Sequence, residues 1–259
     1  MPNELEAIAA TLRAAESDGR PIAPVRDRIT TASAAYEVQE INTRLRIASG
    51  GRLVGRKIGL TNPAVQKQLG VDQPDYGMLF ADMDMNHGAE LPWSQGAQWK
   101  VEAELAFILN RELPHADCSM AEVLRAVEYV VPSIEIVGSR IADWDIRFVD
   151  TVADNASSAF FTLGPSARRL SGTDLLDCRM EMTCGDEIVS QGTGRACLGS
   201  PLNAVLWLAR TMACVGRPLA EGDVVLSGAL GPMVAARPEA RFTARIEGFG
   251  ETAIAFGAR

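Results

Sequence analysis

The sequence predicts an α+β chain, with a helical N-terminal part and a β-rich body, on three observations. Apolar residues recur at helical spacing through the first fifty positions. From Gly50-Gly51 onward the chain turns glycine-punctuated, with short apolar runs bounded by Gly, Pro, Asp and Asn. Only two later stretches carry helix signals, and each has its own start or stop.

Taken in order, Leu5, Ile8, Ala9, Leu12 and Ala15 form one helical stripe. Tyr36, Ile41, Leu45 and Ile47 form a second run after Thr30-Thr31-Ala32-Ser33. This divides the chain into a helical part over residues 1–50 and a β-rich domain over 51–259. Runs at 101–109, 129–137, 160–163, 180–183, 224–226 and 242–246 are the expected strands. Ser119 and Glu122 make a capping box ahead of Val123, Leu124 and Val127, and the apolar run 203–215 ends at Gly216 and Pro218.

The 259 residues, 47% apolar and 22% charged, are enough to bury a real core. A net charge of −8 disfavours a polyanionic partner, so no nucleic acid is expected. No apolar run approaches the ~18 residues of a membrane span, and Met1-Pro2-Asn3-Glu4-Leu5-Glu6 is acidic, unlike a secretion signal. A cytoplasmic protein without a membrane partner is expected. The five cysteines contain no C-x-x-C pair and read as small buried hydrophobes, while His87 and His115 stand apart from any ligand spacing. A metal here would be held by oxygen.

Carboxylates supply that oxygen. Alternation along residues 101–108 places Glu102 and Glu104 on one strand face, about 6–7 Å apart. Like charges so close require a solvated face or a cation between them. Glu135 stands between two isoleucines in a run as apolar as a core strand, where an unpartnered carboxylate would cost several kcal/mol or take up a proton. With no Lys or Arg interleaved, the three acids suit Mg²⁺ or Mn²⁺ better than Zn²⁺. Lys57 alternates with apolar residues between Gly55 and Gly59, a solvated lysine being the alternative. Asp75 reads equally as a turn residue. Asp154-Asn155-Ala156-Ser157-Ser158 either caps a turn or offers small donors to a carboxylate, and the glycine loop Ser227–Met233 could face its N–H groups to an anion.

Together these segments resemble a known family. Lys57-Ile58-Gly59-Leu60-Thr61, Val65-Gln66-Lys67-Gln68-Leu69-Gly70, Pro74-Asp75-Tyr76-Gly77, Val101-Glu102-Ala103-Glu104, Glu135-Ile136-Val137 with Ser139-Arg140, Ala153–Ser158 and Leu226–Pro232 are similar, in order, to the 2-hydroxypenta-2,4-dienoate (2-keto-4-pentenoate) hydratases. These belong to the hydratase/decarboxylase branch of the fumarylacetoacetate hydrolase superfamily. The resemblance implies a fumarylacetoacetase C-terminal-like mixed β roll and a metal-dependent hydro-lyase of meta-cleavage aromatic catabolism. Position by position it implies Glu102, Glu104 and Glu135 as ligands of Mg²⁺ or Mn²⁺. It further implies Lys57 and Asp75 as the acid/base pair, with a lysine pKa lowered by apolar walls and metal, and Asp154 and Ser158 in the substrate pocket. The implied partner is a small 2-hydroxydienoate or 2-oxo acid. A homo-oligomer, and association with a downstream aldolase or a sister decarboxylase, follow by the same analogy. The sister 4-oxalocrotonate decarboxylases share the lysine and the acids but need a site for a second substrate carboxylate, for which Arg56, Arg140 and Arg147 are candidates. Acylpyruvate hydrolysis wants a His–Glu pair, and neither histidine has an acidic partner at a useful position. A non-catalytic partner subunit is disfavoured because the lysine and all three acids are present.

Overall fold

The computed structural model describes residues 3–62, 66 and 71–259; apart from Gln66, the motif at 65–70 lies outside the described residues. Helix α1, Glu4–Asp18, starts at a capping box between Asn3 and Glu6 and stops where Gly19 turns left-handed. Helix α2, Ala32–Ala48, is capped by the Thr31 hydroxyl. Strands β1 (Leu53–Gly59), β2 (Asp75–Phe80), β3 (Asp84–Met85), β4 (Glu90–Leu91) and β5 (Trp99–Leu109) follow. Helix α3 (Met120–Ala126) opens at the Ser119–Glu122 capping box and runs directly into β6 (Val127–Gly138). Helix α4 (Phe148–Ala153), strands β7 (Ser158–Leu163), β8 (Arg179–Cys184) and β9 (Glu187–Thr193), and helix α5 (Pro201–Cys214) come next. Strands β10 (Val224–Leu226), β11 (Val234–Ala235), β12 (Arg241–Ile246) and β13 (Gly250–Phe256) complete the chain.

The strands form two mixed sheets. One runs β2-β1-β10-β5-β6-β7-β3 with β11 added beside β5; the other runs β4-β13-β12-β8-β9. Strands β12 and β13 pack across β6, and Phe107, Ile134, Phe242 and Ile254 share the continuous core between the sheets. Ile8, Leu12, Val38 and Val152 make a second, smaller core that joins α1, α2 and α4. Among the described residues, no helix is long and apolar enough to cross a membrane.

Several local expectations change in three dimensions. The α1 stripe is buried at Ile8, Ala9, Leu12 and Ala15. In α2 the buried face is instead Ala35, Val38, Gln39 and Thr43, and Leu45 and Ile47 are exposed. Small residues let α2 approach its neighbours, and buried Gln39 is satisfied by the carbonyls of Tyr76 and Val152. Val127 begins a strand rather than continuing α3. Asp75 is the first residue of β2, paired with Gly59, not a turn. The cysteines also divide, since Cys214 is exposed and Cys184 half-buried while the other three are buried.

Candidate metal and active site

The register of β5 against β6 creates the site. Glu102 lies opposite Glu135 and Glu104 opposite Ser133, so three carboxylates and one hydroxyl occupy the corners of a square on one face of the sheet. One oxygen from each of Glu102, Glu104 and Glu135 lies within 4.8 Å of the others. Glu104 and Glu135 are fully buried, and Glu102 alone of the three keeps partial access to solvent. The solvated-face alternative therefore fails at Glu104.

Two strands away, β1 brings Lys57 to the same place. Its Nζ is 3.1 Å from Glu135 Oε2, and its side chain is only 3% exposed, so it is not a solvated lysine. Glu135 thus has the cationic partner that its apolar strand required, drawn from a part of the chain 78 residues earlier in sequence. Asp75 on β2 faces the same ammonium across Gly59. A Cβ on Gly59 would sit 2.2 Å from Asp75 Oδ1 and 3.3 Å from Lys57 Nζ, so only glycine leaves room for this approach.

The charges set one another's protonation. Burial pushes the Glu102 carboxyl up to about 7 and Asp75 up to about 6, with Lys57 opposing the rise at both. Burial, then Glu135 and Glu102, raises Glu104 well above the usual range; burial raises Glu135 against the pull of Lys57. Burial alone would lower the Lys57 ammonium, but Glu135, Asp75, Glu102 and Glu104 outweigh it and hold the lysine protonated. That balance belongs to the metal-free protein, in which four acids converge on one amine, a convergence the sequence does not show.

Hydrogen bonds are missing where a ligand would sit. Eight buried side-chain polar atoms among the described residues make none, and six are here: Asp75 Oδ1, Glu104 Oε1, Ser133 Oγ, Ser158 Oγ and both Glu135 oxygens, of which Oε2 has the Lys57 ion pair. Ser158 faces Glu135 and favours its charge, although its Oγ completes no hydrogen bond. Unsatisfied hard oxygens on a rigid sheet suit a divalent cation with oxygen preference. The anion that the glycine loop faces is the protein's own, since Gly228 N–H donates to Glu104 Oε2 at 2.8 Å.

The Asp154–Ser158 segment splits in two. Asp154 turns away from the cluster to Arg140, accepting from its backbone N–H at 2.9 Å and from its guanidinium Nε. Between them Asn155, Ala156 and Ser157 have φ of 54°, 51° and 55°, three consecutive left-handed residues costing about 1–2 kcal/mol each. The Asn155 amide holds this turn by accepting from Met78 N–H at 2.7 Å and donating to its carbonyl at 3.0 Å. Asp154 borders a cavity of about 550 Å³ beside α1 and α2, and a second of about 280 Å³ adjoins it; neither is lined by Lys57, Asp75 or the three glutamates.

Two residues of this face escaped the sequence reading. Ser133 gave no signal beyond its two-residue offset from Glu135. Lys100 shares the face of Glu102 by the same offset, with its ammonium 4.0 Å over the Trp144 ring.

The chain is similar to known proteins over most of its length. Residues 52–255 match the family model described as fumarylacetoacetate (FAA) hydrolase C-terminal. "2-keto-4-pentenoate hydratase 2" of Dechloromonas aromatica (strain RCB) is 60% identical over 253 residues, covering 97% of each chain. "TodF product hydratase" of Pseudomonas putida F1 is 54% identical over 96% of this chain and 93% of its own. Among solved structures, the 4-oxalocrotonate decarboxylase of Pseudomonas putida G7, complexed with magnesium and adipate, superposes with a TM-score of 0.94 at 31% identity, covering 97% of both chains.

Proposed function

The chain belongs to the fumarylacetoacetate hydrolase family, and from that premise we propose that it is a hydro-lyase converting 2-hydroxypenta-2,4-dienoate, or a close homologue, into 4-hydroxy-2-oxopentanoate. The observation that carries this reading is the buried Glu102–Glu104–Glu135 cluster faced by Lys57, in a chain similar over its whole length to hydratases. The enzyme is divalent-metal dependent, with Mg²⁺ or Mn²⁺ as the cation. Glu102, Glu104 and Glu135 are the residues that would hold it, because their oxygens converge there and Glu104 Oε1 and both Glu135 oxygens lack hydrogen-bond partners. When bound, the cation supplies Lewis-acid polarisation of the substrate's C1 carboxylate and C2 oxygen.

The chain's own groups move the protons. The enol O–H loses its proton, C5 gains one, and the product of that step is a C2 ketone conjugated with C3=C4. Water then adds at C4 while C3 takes a proton. Asp75, raised to about 6, lies near the operating range and is the proton carrier in this reading. Lys57 stays cationic, holding Glu135 in place and facing the oxyanion that develops at O2. Ser158, adjacent to Glu135 with a free hydroxyl, is the donor to substrate. Asp154 supports it indirectly, by fixing the near end of the turn through Arg140.

The decarboxylase reading needs a cation for a second substrate carboxylate. Arg56 is engaged by Asp223 at 2.7 Å, Arg140 by the Asp154 carboxylate and three backbone carbonyls, and Arg147 is exposed. None of the three offers a free guanidinium to the cluster, which favours a monocarboxylate. The reading extends to a cytoplasmic homo-oligomer that hands its product to an aldolase.

The test follows the ultraviolet absorbance of 2-hydroxypenta-2,4-dienoate with Mg²⁺, Mn²⁺ or EDTA, beside 2-oxo-3-hexenedioate assayed for CO₂. Metal-dependent loss of the dienoate with 4-hydroxy-2-oxopentanoate as product is expected. CO₂ release with an inert dienoate would transfer the protein to the decarboxylases.

A further inference from the structure

Cys197 is one of the three buried cysteines, with no exposed surface, and the mechanism makes no use of it. Its Sγ lies 2.8 Å from the Ser227 carbonyl oxygen, to which the thiol donates. That carbonyl and the Gly228 N–H are two ends of one peptide group, and the N–H donates to Glu104 Oε2 at 2.8 Å. A thiol, a peptide and a carboxylate therefore form one chain of hydrogen bonds, joined at the thiol by the Thr61 side chain, in which each bond polarises the next. It leaves Glu104 Oε1 as the oxygen without a partner, turned to the other acids.

The peptide is held from behind as well. Gly228 has φ of 100°, and a Cβ there would lie 2.5 Å from the Thr61 side chain. Thr61 O accepts from Leu198 N–H at 3.1 Å, which ties the Cys197 loop to the end of the β1 segment that carries Lys57. Burial, and then the nearby Glu104, push the thiol up to about 12, so it remains a donor at working pH. Beside its contact with the Glu135 carboxyl, Gly228 N–H is the backbone donor that holds Glu104, so this peptide helps set its orientation.

We propose that Cys197 is a positioning residue for the metal site, acting through the Ser227–Gly228 peptide to fix which Glu104 oxygen faces the cation. The inference rests on the reading of the three glutamates as metal ligands. Partners hydrogen-bonded directly to a metal ligand typically change metal affinity by about 10–100-fold when lost, and Cys197 stands one peptide further back, which puts it at the lower end of that range.

Mn²⁺ titration of the full chain, read by loss of the free-ion EPR signal, tests it with Cys197→Ala and Cys197→Ser. Weakening of about 10-fold in the alanine variant, with the serine variant within about 2-fold of wild type, is expected because serine restores the donor. Unchanged affinity in Cys197→Ala overturns the proposal. Equal loss in both variants also overturns it, since packing rather than the donor would then be responsible. A metal-free readout separates this from failure of the site itself: the S–H stretching band that vanishes in Cys197→Ala should shift in Glu104→Gln. No shift overturns the relay. Absence of Mn²⁺ binding by the wild type, with the shift present, upholds the relay and removes the metal reading instead.

Discussion

The molecule buries carboxylates in two places and treats them oppositely. Beneath the N-terminal helices, Asp150 accepts from the Val25, Arg26 and Arg147 N–H groups and from the Arg26 guanidinium, while Asp154 is enclosed by Arg140. On the β5–β6 face, Glu104 and Glu135 are just as deeply buried yet keep oxygens with no partner. A buried charge with every lone pair satisfied is a structural joint; one left unsatisfied on a rigid sheet is held ready for something not part of the chain. The left-handed turn at Asn155–Ser157 is the border, with Asp154 at its satisfied end and Ser158 at its unsatisfied end.

The contrast can be broken from either side. The largest effect is expected for Glu104→Gln, which should lower turnover by roughly 10³-fold and abolish Mn²⁺ binding. Its melting temperature should hold or rise, because one of several repelling carboxylates becomes neutral. A clear fall in stability with turnover retained would make this face a structural joint too. Asp150→Ala should do the reverse, destabilising by about 1–3 kcal/mol for each buried N–H it orphans at Val25, Arg26 and Arg147, while the Arg26 guanidinium keeps Asp145 alone. Denaturant unfolding measures it, and wild-type stability would sink the distinction. Gly59→Ala, whose Cβ would displace Asp75 Oδ1, should cost about 10²-fold in kcat with the fold intact by circular dichroism.

A pH series sharpens the comparison further. The Glu102 carboxyl sits at about 7 in the folded, metal-free protein and near 4.5 when unfolded. Between those values the native state binds more protons, so stability should rise as pH falls from about 7 toward 5 in EDTA. Saturating Mn²⁺ should reverse that slope, since the cation competes with the same proton and adds about 2.7 kcal/mol at a hundredfold excess over Kd. Identical melting curves with and without Mn²⁺ would contradict the metal reading. The smallest effect is expected at the border: Ala156→Gly relieves a left-handed alanine and should stabilise by no more than about 1 kcal/mol, with activity unchanged.

Much of this was legible in one dimension. Period-two alternation placed Glu102 and Glu104 on one face, and the apolar run around Glu135 marked that acid as anomalous before any pairing was known. The capping box at Ser119, the α1 stripe and the change from helix to strand near residue 50 were equally local, and local signals survive folding because they depend on a residue's own neighbours. The α2 face was misread because Leu45 and Ile47 are apolar but solvent-facing, and burial is decided by what packs opposite.

What the tertiary structure decided is everything that depends on which strands are neighbours. The β5–β6 register set Glu135 opposite Glu102, and the β1–β10–β5 order brought Lys57 to them across a long stretch of chain. The same assembly surrounded the lysine with four acids, separated Asp154 from Ser158, and gave a cysteine read as mere packing a hydrogen bond one peptide away from Glu104. Residue type and spacing determine which groups a strand presents to a face. Only the pairing of strands determines which charges meet there, and electrostatic energy depends on that distance.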